Sequence, residues 1–161
     1  MRFDIPSMFL ASWSRAALLV LLGSAVGLAL PVRAQAQTAI YLETTVPDRV
    51  GRQLMFELRE GLRRSAGLSL ADRSQDARIH VRVVTLDPNE GASSGLMTVY
   101  SAVVTFRTFH DTPVDAYLTS YVGTCGSNRT SHCAQTLLAG IDEQASTMRA
   151  VLRNVLEQQR R

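Results

Sequence analysis

The residues able to do chemistry are few. Cys125 and Cys133 are the only cysteines, and their spacing closes a short loop. A redox pair would usually be spaced Cys-x-x-Cys, so a structural disulfide is the expectation. In the chain-entropy model such a loop is worth roughly 2–3 kcal/mol. A metal site is not expected: His132 beside Cys133 supplies two ligands, and nothing nearby completes a tetrahedral set. Gly91-Ala92-Ser93-Ser94-Gly95 matches G-x-S-x-G, and Asp111 or Asp115 and then His132 follow in the order of an α/β-hydrolase triad. That mechanism needs its serine on a strained strand-to-helix turn over a parallel sheet, whereas Ser93 falls in a Gly/Ser loop between two strand-like runs. His80 lies inside one such run and His110 in a turn, each with a solvated role. All 17 basic residues are Arg, which excludes lysine nucleophiles and points to a GC-rich bacterial genome. No P-loop, dinucleotide fingerprint, HExxH or calcium loop occurs, and no catalytic residue or cofactor is expected.

The elements that must position these residues centre on three runs rich in β-branched and aromatic residues: 77–87, 96–109 and 114–123. A polar loop (88–95) and a tight turn (110–113) join them as an antiparallel meander. Pairing across those turns groups Ile79, Val81 and Val83 with Tyr100, Ala102, Val104 and Phe106, and then with Tyr117, Thr119 and Tyr121. The other face carries His80, Arg82, Val84, Met97, Val99, Val103, Arg107, Leu118 and Val122. A slip of one residue exchanges the two sets.

Before the meander, 38–46 reads as a strand and Pro47-Asp48 as a helix start. Val50, Leu54, Leu58 and Leu62 recur every four residues, and Gly67 is the expected C-cap. Leu68-Ser69-Leu70 is a short strand. After Cys125, a helix begins near Thr130 or Ser131, with apolar positions from Ala134 to Val155 at helical spacing. One α+β domain follows over 37–161, in the order β-α-β-β-β-β-α. It is an antiparallel sheet of four to five strands with two helices packed on one face.

Residues 1–36 read as an export signal. Arg2 and Arg15 precede the apolar run 16–30, and Ala34-Gln35-Ala36 offers cleavage after Ala36 or Ala34. The expected location is the periplasm, without a lipid anchor because no cysteine precedes Cys125. An uncleaved anchor is the alternative. Without Arg2, Arg15, Arg33 and Asp4 the chain keeps 14 Arg against 13 acids, a net of +1, so nucleic acid is not an expected partner.

The order of elements resembles the small periplasmic α+β domains of the TolB amino-terminal, CsgG and LpoB type. The likeness runs from the Val50-Gly51-Arg52-Gln53-Leu54 helix through Leu68-Ser69-Leu70 and Asp76-Ala77-Arg78-Ile79-His80-Val81 to Leu137-Leu138-x-x-Ile141-Asp142. It spans about 38–157 and carries no diagnostic motif; the Cys125–Cys133 clip and the missing lipidation cysteine depart from it. It implies a non-catalytic assembly or regulatory module of the cell envelope, and no functional residue transfers.

Two helices with one apolar stripe each can cover only one face of such a sheet. The uncovered face then still carries apolar side chains between charges, the usual mark of an interaction site. The candidate interaction face is Arg82, Val99, Val103, Arg107, Leu118 and Val122, for an envelope protein partner, with self-association open. A small-ligand or glycan binder is the alternative, and a hydrolase using Ser93 the third reading.

Overall fold

A computed structural model describes residues 37–89, 94–108 and 113–161. Residues 1–36, the expected export signal, and Ser93, His110 and Asp111 lie outside the described residues. The elements are β1 (Thr38–Thr45), α1 (Arg49–Arg64), β2 (Leu68–Ala71), a 3-10 turn (Ser74–Asp76), β3 (Ile79–Leu86), β4 (Met97–Arg107), β5 (Asp115–Gly126) and α2 (Thr130–Gln159). The fold is α+β, with a five-stranded sheet in the order β2-β1-β3-β4-β5.

The antiparallel expectation holds for the meander β3-β4-β5 and needs correcting at the other edge. There β1 runs parallel to both β2 and β3. The cause is α1: it leaves the far end of β1 and carries the chain back to the level of its start, where Leu68 pairs with Thr38, so β2 runs beside β1 in the same direction.

Helix α1 starts where Asp48, in extended conformation, accepts a hydrogen bond from the Gly51 amide at 2.6 Å. Its stripe of Val50, Leu54, Met55, Leu58 and Leu62 is buried. The helix ends before Gly67. Ser65 leaves the helix in extended conformation, and its hydroxyl accepts from the Gly67 and Leu68 amides at 3.2 and 3.1 Å. That oxygen satisfies the exit amides, so no left-handed glycine is required there.

The core lies between the helices and one sheet face. Ile40, Ile79, Val81, Val83, Ala102 and Val104 meet Leu54, Leu58 and Leu62 of α1 and Leu137 and Ile141 of α2. Each of the larger side chains contributes about 1.5–3 kcal/mol by leaving water. Cys125 and Cys133 are joined as a disulfide with Cα atoms 6.2 Å apart, tying the end of β5 to the first turn of α2. Among the described residues no helix is long and apolar enough to cross a membrane.

Candidate interaction face

Among the described residues one face of the sheet carries no helix, and this helix-free face is built by alternation. In β3 the residues facing the helices are buried, while Arg82, Val84 and Leu86 between them are exposed. Register carries that alternation across the sheet: Arg82 lies beside Val103 and Glu43, Val84 beside Ser101 and Thr45, and Leu86 beside Val99. Val103 is followed outward by Ser120, Ser101 by Val122, and Val99 by Thr124.

Five of the six candidate residues therefore share the uncovered face: Arg82, Val99, Val103, Arg107 and Val122. Leu118 does not belong with them. A bulge between Val104 and Thr105 makes Leu118 the extra residue in β5, and it packs against the buried cluster. The same bulge turns Tyr117 out of the covered set, where simple alternation would have kept it. Tyr117 pairs with Thr105, is exposed, and its hydroxyl lies 3.1 Å from Ser120 Oγ. Inserting one residue reverses the alternation of everything before it.

The face has two unlike ends. One end is apolar: Val84, Leu86 and Val122 are 45%, 63% and 75% exposed, with half-buried Val99 between them. The other end is a polar basin of about 540 Å³ lined by Tyr41, Glu43, Ser74, His80, Arg82 and Asp115, among others. Arg82 donates to Glu43 from Nε and Nη2, at 3.1 and 3.0 Å. Arg107 grips Asp115 bidentately, both bonds 2.8 Å, and reaches Ser74 Oγ at 3.4 Å. This bond raises the Arg107 pKa and holds the Asp115 carboxyl below its usual range. The Tyr41 and His80 rings stand 5.4 Å apart, and His80 Nε2 lies 2.9 Å from the Ser74 carbonyl.

Sequence reasoning missed the basin because one wall of it, Tyr41, Glu43 and Ser74, comes from β1 and the 3-10 turn. Only the parallel β1–β3 pairing sets Glu43 against Arg82; the charges themselves were the available signal.

Asp115 and His132, two members of the triad order, sit at opposite ends of β5, since His132 follows its last residue and Asp115 is its first. Asp115 is committed to Arg107. On the covered face, Tyr121 rests over Gly140, where a Cβ would come within 2.7 Å of the ring, and burial raises the Tyr121 pKa.

No protein-family model matches the chain, and no curated protein does. It is similar in shape to solved structures. The hypothetical protein CT253 of Chlamydia trachomatis matches over 69% of this chain and 99% of that chain, with 9% identity and a TM-score of 0.45. Two structures of the PelC dodecamer from Paraburkholderia phytofirmans also match. One covers 70% of this chain and 90% of that chain at 15% identity and TM-score 0.43. The other covers 69% and 89% at 16% identity and TM-score 0.42. Likeness at this level assigns no partner or activity, and the TolB, CsgG and LpoB resemblance stays an expectation from sequence.

Proposed function

We propose that this chain is a non-catalytic binding module of the bacterial cell envelope, working in the periplasm by docking a protein partner on its helix-free sheet face. The observation that carries this reading is the exposure of Val84, Leu86 and Val122 on adjoining rows of a face without a helix. Contiguous apolar surface of this kind is rare on a monomer unless something covers it. The paired charges beside it supply a polar rim. Changing Val84 and Leu86 together to Glu should leave the melting temperature nearly unchanged and abolish co-purification from the envelope fraction. Retention of every wild-type partner would overturn the reading. Location is tested separately: mass spectrometry should find the protein starting after Ala36 or Ala34, and an intact Met1 would refute export with cleavage.

The basin supports a second reading, a site for a small polar ligand or short glycan. It combines an aromatic ring with two planar Arg–carboxylate pairs, in a volume within the usual range of ligand sites. Glycan binding lost in Tyr41→Ala and Arg82→Ala, but kept in the Val84/Leu86 variant, would decide for it.

A further inference from the structure

The sheet has two outer strands, and they are protected very differently. At one edge β2 has only four residues and is followed by exposed, charged Asp72 and Arg73. Short strands and charges are the ordinary ways to keep an edge from pairing with another chain. At the other edge β5 has twelve residues, and from Ala116 to Gly126 it contains no charge and no proline. Its inner side is taken by β4. Among the described residues no backbone group of Thr119–Cys125 bonds outside that ladder. In an antiparallel strand the backbone groups point alternately to either side, so the outer set is left to solvent. The two most exposed large apolar residues of the described chain, Val122 at 75% and Tyr117 at 65%, both stand on this strand. On the helix side Tyr121 and Gly123 are half-buried, with the Tyr121 ring resting over Gly140 of α2.

We infer that β5 is where two copies of this chain join, by antiparallel pairing of Thr119–Cys125 about a two-fold axis through Val122. That segment lies wholly beyond the bulge, where the ladder is regular. Its own sequence is the complement it needs. Val122 meets the partner's Val122, and Ser120 meets the partner's Thr124, the β-branched and hydroxyl pairs that favour cross-strand contact. On the helix side Tyr121 faces the partner's Gly123, over which the partner's Tyr100 ring lies, so the cross-strand neighbours there are two tyrosines. No charge is brought against a like charge. A two-fold strand pair of this kind closes after two copies. It would make one ten-stranded sheet whose two apolar patches, each containing Val84, Val99 and Val122, meet across the axis.

The inference stands on the unpaired edge of β5 and shares only Val122 with the docking reading. Sedimentation of the full chain should give twice the monomer mass. Val122→Lys sets like charges on the axis and should raise the dissociation constant by about tenfold or more, while circular dichroism shows the variant still folded. Val122→Cys should form a disulfide-linked dimer under mild oxidation, and Val84→Cys should not. The Val84/Leu86 double Glu variant should stay dimeric even when it has lost its partner. A wild-type protein that remains monomeric up to its solubility limit, or that gains mass only with an envelope extract, overturns the inference. So does a dimer that persists in Val122→Lys. Should that variant unfold, failure of Val122→Cys to cross-link overturns it equally.

Discussion

Asp48 does three jobs with one carboxylate. One oxygen caps α1 through the Gly51 amide, and the other accepts from the Thr85 and Thr98 hydroxyls. Thr85 and Thr98 are buried, so these bonds tie the start of the helix to two neighbouring strands. Gly51 is required by the same crowding, since a Cβ there would stand on the Thr85 side chain. Losing a cap costs about 1 kcal/mol, and a buried hydroxyl left without a partner about 1–3 kcal/mol. Thr98 keeps its carbonyl acceptors, so Asp48→Ala should cost about 2–4 kcal/mol in urea unfolding; a loss under about 0.5 kcal/mol would refute the triple role. Two other carboxylates set the acid limb. The Asn89 and Gly95 amides hold the Asp87 pKa below its ordinary 3.8, and Arg107 does the same for Asp115. A depressed folded pKa gives stability that is fully present above the unfolded value and lost as pH falls through the folded one. Stability should therefore fall below about pH 4, and Asp115→Asn should flatten that fall; an unchanged acid slope would contradict the Arg107 assignment.

At the scale of elements, the Cys125–Cys133 clip fixes how α2 leaves β5. Replacing both cysteines by Ser should lower stability by about 2–3 kcal/mol in urea unfolding while keeping the native circular dichroism. Rapid thiol labelling of the unreduced wild type would contradict the bond itself. This clip was legible from spacing alone, as was the helical stripe from Val50 to Leu62. The meander was legible too: alternation and two turns group Val81, Val83, Ala102 and Val104 on one face, and the packing of both helices on that face decides against the one-residue slip. Leu118 and Tyr117 were not legible. A bulge adds a residue without any distinctive residue type, and alternation read across it assigns the wrong face. The parallel partners of β1 were hidden for another reason: their pairing depends on where α1 returns the chain, which no local pattern records. Ser65 took over from Gly67 because its N–H serves the Leu62 carbonyl and its hydroxyl accepts from the Gly67 and Leu68 amides, so the chain turns without a left-handed residue.

At the largest scale, the core of the described residues is sorted by a single division, with α1 and α2 both on one side of the sheet. Thr119 and Val103 test that division from opposite faces. Thr119 lies beside Val104, which is fully buried, on the side the helices cover. A carboxylate there must either lose water or force the β5 edge away from α2, so Thr119→Glu should cost about 2 kcal/mol or more. Val103 lies on the helix-free face directly beside Arg82, whose guanidinium already meets Glu43. A Glu at 103 stays wet and gains a neighbouring cation, so Val103→Glu should change stability by no more than about 0.5 kcal/mol. Paired thermal melts at one pH read the difference directly. Equal destabilisation by both would mean the second face is also packed in the free protein. A partner bound through the apolar end should in turn be weakened by Val103→Glu far less than by changing Val84 and Leu86, since Val103 borders the charged basin instead.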